Sequence, residues 1–183
     1  MNDARHVNRR RFLQRSAGLA AGSLVPMARA RSQAADSRTL SFVHTHTGEQ
    51  LQLVYAVGAH YVPQALALLN RFLRDHYSGE IGVIDPRLFD LLHIVHQQVG
   101  GNRPFEVISG YRCSATNARL RETRGGGVAR TSLHMQGQAI DIRLPGVPLA
   151  ELRDAAVELK AGGVGYYPGS RFVHLDTGRV RRW

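Results

Sequence analysis

The sequence predicts an α+β fold with a small sheet, and three observations carry that expectation. A period-two segment near residue 40 reads as a hairpin, two helical stripes follow it, and the remaining strand-type runs gather in the second half of the chain. Strands and helices therefore do not alternate as they would in a parallel α/β sheet. At 183 residues with 43% hydrophobic and 21% charged content, the chain suits one globular domain.

Taken in order, residues 1–30 read as a signal peptide. Arg9-Arg10-Arg11-Phe12-Leu13-Gln14 matches a twin-arginine export pattern. Ala17 to Val25 is mildly apolar but too short to span a bilayer, and Ala28-Arg29-Ala30 forms a small-x-small cleavage site. These features predict export to the periplasm, with mature residue one near Arg31 and no stable membrane insertion after cleavage. A basic tail binding nucleic acid is the competing reading, but it does not require that order of charge, apolar run and cleavage site. The formal net charge is +10, and six arginines against one aspartate in residues 1–30 supply half of it. The remaining excess suits an anionic polymer as partner, although such a balance is also common in proteins that bind nothing acidic. Cys113 is the one cysteine, which excludes an intrachain disulfide and reads as a small buried residue rather than a nucleophile.

Arg31 to Arg38 reads as a polar linker, and the folded domain is expected over residues 39–183. Thr39 to Val54 forms two strands joined around Thr47-Gly48. Pro63 opens a helix running to about Tyr77, with Leu66, Leu69 and Leu73 on one face. Asp85 as cap and Pro86 at the first helical position start a second helix, whose stripe of Leu88, Leu91, Leu92, Val95 and Val99 ends at Gly100-Gly101. Phe105 to Ser109 is a short strand, Ser114 caps a short helix, and Thr123 to Arg130 is a glycine-rich loop. Ala139 to Leu144 is a strand, Pro148 to Lys160 a helix stopped by Gly162-Gly163, and Val164 to Tyr167 and Phe172 to Asp176 are two closing strands.

Nine histidines occur, so spacing and context must select among them. Ser132-Leu133-His134-Met135-Gln136-Gly137-Gln138-Ala139-Ile140-Asp141 places a histidine in a loop and an aspartate on the strand that follows. Ile140 and Ile142 point to one face, leaving Asp141 on the other. In Phe172-Val173-His174-Leu175-Asp176, alternation sets His174 opposite Val173 and Leu175. Two imidazoles and a carboxylate would leave a fourth tetrahedral position open, as catalytic zinc sites do. A structural zinc site normally closes its shell with thiolates, which a single cysteine cannot supply.

Ser132-x-His134-x-x-Gly137-x-Ala139-x-Asp141 with Val173-His174-Leu175-Asp176 resembles the zinc signature of the lysostaphin/VanX/hedgehog-type metallopeptidases. The forms Ser109-Gly110-Tyr111-Arg112, Gly163-Val164-Gly165-Tyr166-Tyr167 and Phe172 to Gly178 are similar to the YcbK/MepK-like murein endopeptidase branch. The resemblance covers about Thr39 to Trp183. It implies an α+β fold with a small antiparallel sheet and flanking helices, and peptidoglycan cross-link peptides as substrate. It also implies one catalytic zinc on His134, Asp141 and His174, with Arg112 facing the substrate to steady the oxyanion.

One departure bears on the chemistry. Several relatives carry a Glu or His just before the last ligand as general base, whereas here Ser170-Arg171-Phe172-Val173 stands there. Asp176 is a candidate for that role, for orienting His174, or for forming the turn before Thr177-Gly178. A non-catalytic peptidoglycan-binding protein and a D-Ala carboxypeptidase with the same zinc site are the rival functions. His44 and His46 read as exposed hairpin residues rather than a metal pair, and His93 and His96 as surface or boundary residues. Ser132 reads as a hydrogen-bonding residue of the His134 loop, and one of Tyr166 and Tyr167 as lining the cleft while the other packs.

Overall fold

The computed structural model describes residues 36–123 and 128–183. The expected signal peptide lies outside the described residues, as do most of the linker and residues 124–127 of the glycine loop.

Strands β1 (Ser37–His44) and β2 (Gln50–Val57) form the expected antiparallel hairpin, and β3 (His60–Tyr61) adds two residues to its edge. Helices α1 (Pro63–Phe72) and α2 (Pro86–Gln98) follow. Then come β4 (Phe105–Ser109), α3 (Ser114–Thr123), β5 (Ala139–Arg143), α4 (Leu149–Glu158), β6 (Gly163–Tyr167), β7 (Phe172–Asp176) and β8 (Arg181–Arg182). One sheet takes all eight strands in the order β3-β2-β1-β4-β5-β7-β6-β8.

The sheet corrects the expectation of a small antiparallel one. β1 pairs in parallel with β4 through Phe42 and Phe105, Val43 and Glu106, and His44 and Val107, and β6 pairs in parallel with β8. The β1–β4 contact fuses the hairpin with the later strands, and α1 and α2 occupy the connection. Periodicity reports which face of a segment is buried, not which distant strand lies beside it. The pairing is driven by apolar surface on both sides: Phe42 and Phe105 are fully buried and their rings lie 6.1 Å apart. Leu88, Leu92 and Val95 of α2 join Ile142 and Val173 in the same core, each contributing about 1.5–3 kcal/mol by leaving water.

Local signals explain the helix starts. Asp85 Oδ1 accepts a hydrogen bond from Arg87 N at 3.0 Å, and Pro86 supplies a helical φ at a position whose N–H needs no partner. The far end of α1 departs from expectation, because the helix stops at Phe72 and not near Tyr77. Tertiary partners take over there. Leu73 O accepts from Tyr111 N at 2.8 Å, and the fully buried Asp75 carboxylate accepts from Tyr77 N and from Cys113 N, each at 2.9 Å. The turn carrying Gly110 to Cys113 is thereby fastened to the end of α1.

His44 also differs from expectation, since it is 1% exposed. It shares the inward face of β1 with Leu40 and Phe42, and its ring packs edge-on against Phe72 and His76. Burial, aided by neighbouring His46, pushes its pKa down to about 4. His46 remains exposed in the hairpin turn.

Asp75→Ala should destabilise the protein by about 3 kcal/mol, because it strands buried backbone donors, a loss measurable by urea unfolding. Burial raises the Asp75 pKa, but hydrogen bonds from Thr116, Cys113 and Tyr77 outweigh it and hold the group below its ordinary value. Its contribution is therefore present above the unfolded carboxyl pKa of about 4 and is lost as pH falls through the depressed folded value. The gap between wild type and variant should narrow in acid.

Candidate metal centre

Three side chains from two strands and one turn meet over the middle of the paired strands β5 and β7. His134 stands on a single 3-10 turn, Leu133–Gln136, which Ser132 caps by accepting from His134 N at 3.4 Å. Gly137 ends that turn at φ +67, a left-handed conformation that glycine adopts freely, and the chain passes directly into β5. Asp141 on β5 lies opposite His174 on β7 in the antiparallel register. Cross-strand neighbours on one face are close by construction, so the pairing of β5 with β7 brings a carboxylate from one loop-strand unit onto an imidazole from another.

The distances are short. His134 Nε2 lies 3.2 Å from Asp141 Oδ1 and 3.2 Å from His174 Nδ1, and His174 Nδ1 lies 2.8 Å from Asp141 Oδ1. Among the described residues this is the one group of three whose ligand-type atoms all fall within 4.8 Å of one another. The outer ring nitrogens fix the chemistry of the inner ones. His134 Nδ1 donates to Gly110 O at 2.6 Å, and His174 Nε2 donates to Asp176 Oδ2 at 3.1 Å. A neutral imidazole that donates from one nitrogen presents a lone pair at the other. Three lone pairs therefore face a common point, the donor set of a divalent cation.

The charges agree with this geometry. Burial lowers the His134 pKa and keeps the ring neutral. Burial would raise Asp141, but His134 and His174 hold it well below the usual carboxylate range. Burial opposes protonation of His174 too, yet the carboxylates of Asp141 and Asp176 prevail and raise it. A site that draws a proton onto His174 offers the same negative charge to a metal ion.

Arg112 reaches the group from the turn fastened to α1. Its Nη2 donates to Asp141 Oδ2 at 2.6 Å and its Nε to Ser109 Oγ at 2.9 Å. Asp141 thus spends one oxygen on Arg112 and keeps the other for the shared point. Asp176 stands behind His174, fully buried, and accepts from Gly163 N, Gly178 N and Arg181 as well as from the imidazole. Burial would raise its carboxyl, but these hydrogen bonds, His174 first, bring it down to about 2. Of the three roles expected for Asp176, these contacts match the orientation of His174: each carboxylate oxygen is engaged by the imidazole, a backbone amide or Arg181.

The shared point opens onto a cleft of about 490 Å³ lined by Arg112, Ser132, Tyr167, Phe172 and Trp183, among others. Tyr167 is the cleft residue of the tyrosine pair, while Tyr166 packs on the core under Arg153. Sequence reasoning missed three contributors: the Gly110 carbonyl behind His134, the Arg181 clamp on Asp176, and Trp183. Carbonyl roles leave no mark in a sequence, but the pattern of Trp183 two positions beyond Arg181 was available.

A family model described as peptidoglycan L,D-endopeptidase MepK matches residues 32–183. Peptidoglycan L,D-endopeptidase MepK of Escherichia coli strain K12 is 45% identical over 146 residues, covering 80% of this chain and 80% of that protein. The probable peptidoglycan L,D-endopeptidase MepK of Haemophilus influenzae is 42% identical over 148 residues, covering 80% and 78%. The crystal structure of Serratia marcescens L-Ala D-Glu endopeptidase ChiX aligns over 52% of this chain and 68% of its own with 17% identity and a TM-score of 0.36, too slight a likeness to carry an argument. The family match takes in every described strand and helix together with all three converging side chains, and on that extent the chain belongs to the peptidoglycan L,D-endopeptidase MepK family.

Proposed function

We propose that the protein is a zinc-dependent peptidoglycan endopeptidase that hydrolyses cross-link peptides, with His134, Asp141 and His174 holding one Zn²⁺. The observation that carries this reading is the convergence of three lone pairs 2.8–3.2 Å apart at the floor of the cleft. Tetrahedral zinc with bonds of about 2.0–2.1 Å sets its ligands roughly 3.3 Å apart, so the donor set fits with little movement. When bound, zinc supplies a Lewis acid that polarises a carbonyl and lowers the pKa of water toward about 7.

The chain's own residues supply the remainder. Gly110 O and Asp176 orient the two imidazoles, a task that requires no proton transfer. Arg112 holds Asp141 and presents its guanidinium to the cleft, where it stabilises the negative charge that gathers on the oxygen of an attacked amide. We assign the fold to the hedgehog/VanX-like zinc peptidases on the same site geometry. The names of the relatives specify an L,D bond. Residues 1–30 are assigned as a twin-arginine signal peptide, residues 31–38 as a linker whose last two residues, Ser37 and Arg38, already pair in β1, and residues 39–183 as the peptidase domain, with the periplasm as the site of action.

Incubating the mature protein with cross-linked muropeptide dimers should release monomers, with activity lost on chelation and regained with zinc. Turnover that survives exhaustive chelation rejects the mechanism. Binding without product identifies a peptidoglycan-binding protein, and release of D-Ala from pentapeptide monomers identifies a carboxypeptidase. His174→Ala should lose both zinc retention and turnover. Asp176→Asn should keep the fold but weaken zinc binding by about 10–100-fold, read by competition with a chromophoric chelator.

A further inference from the structure

We propose that Trp183 is a substrate-positioning residue, whose indole forms a carbon wall beside His174 for the CH-rich flank of the bound peptide. This rests on the endopeptidase reading and names the part of the substrate that the cleft selects.

The ring is held on several sides. Its centroid lies 5.4 Å from that of the His174 imidazole, and the Arg181 guanidinium sits 4.9 Å from it. Its Nε1–H donates to Tyr167 Oη at 2.7 Å. Trp183 N donates to Val164 O at 3.2 Å, and Trp183 O accepts from Tyr166 N at 3.0 Å, so the backbone extends the sheet beside β6. Gly165 provides the seat. A Cβ there would stand 2.7 Å from the indole Cε2, so any larger residue would push the ring away.

In spite of these restraints the residue is 49% exposed and lines the cleft. Apolar indole surface left in water is unfavourable, and a bound ligand that covers it recovers that free energy. Because Nε1–H is already engaged by Tyr167, the exposed part offers carbon and no hydrogen-bond donor. It therefore recognises methyl and methylene groups, such as an alanine side chain or the aliphatic stem of diaminopimelate, and not a carbonyl. Tyr167 and Phe172, stacked 4.6 Å apart, continue the same wall.

Trp183 is the only tryptophan in the chain, so its fluorescence reports this one position. Cross-linked muropeptide dimer added to the wild-type, zinc-loaded protein should give a saturable emission change, and glycan lacking peptides should give none. In steady-state hydrolysis, Trp183→Ala should lose about tenfold in kcat/KM, carried by KM, with zinc content and melting temperature kept. Trp183→Phe should restore most of the loss. A KM for Trp183→Ala equal to that of wild type overturns the proposal, as does a loss accompanied by zinc release or a lowered melting temperature. If wild type releases no product, the endopeptidase reading fails by itself. The emission titration then decides the positioning role alone, and an unchanged spectrum at saturating dimer overturns it.

Discussion

The structure depends on holding three acceptors face to face. Two imidazole nitrogens and a carboxylate oxygen stand 2.8–3.2 Å apart; with both rings neutral their lone pairs would repel one another, so the scaffold must hold them where a proton or a cation can bridge them. Rigidity comes from the sheet. The β5–β7 register fixes Asp141 against His174, and Ile140, Ile142, Val173 and Leu175 bury the opposite faces of the same two strands. Shifting or twisting either strand would drag those core side chains with it.

Each of the three converging side chains has a partner that orients it. Gly110 O selects the tautomer of His134, Asp176 that of His174, and Arg112 takes the second oxygen of Asp141. These partners are themselves restrained. The turn bearing Gly110 and Arg112 is tied to the end of α1 through Leu73 and Asp75, and Asp176 is clamped by two backbone amides and Arg181. Buried ion pairs such as Arg112 with Asp141 add little net stability, because desolvation offsets their attraction. Their value here is orientation, and they keep the carboxylates ionised inside the protein.

The wall of the cleft follows a different logic from its floor. Charge and lone pairs gather at the floor, whereas Tyr167, Phe172 and Trp183 present aromatic surface at the side. A peptide entering between them would meet a polar centre for its amide and an apolar wall for its flank. Binding energy gathered away from the reacting bond can then orient that bond.

Much of this was legible in the sequence. Alternation placed Asp141 and His174 on the polar faces of strands β5 and β7, the capping and glycine signals bounded α2, and the spacing of Ser132, His134, Gly137 and Asp141 marked the loop that carries the first of the three converging side chains. Those are local properties, set by side-chain chemistry and backbone conformation within a few residues. Tertiary structure alone decided the parallel β1–β4 pairing that makes one eight-stranded sheet, the early end of α1, the burial of His44 and the retreat of Asp176 behind its histidine. Each depends on a partner far along the chain: Phe105 for β1, Tyr111 and Cys113 for the end of α1, Phe72 and His76 for His44, Gly163 for Asp176. Periodicity records which side of a segment leaves water, but only packing and hydrogen-bond satisfaction in three dimensions determine what meets it there.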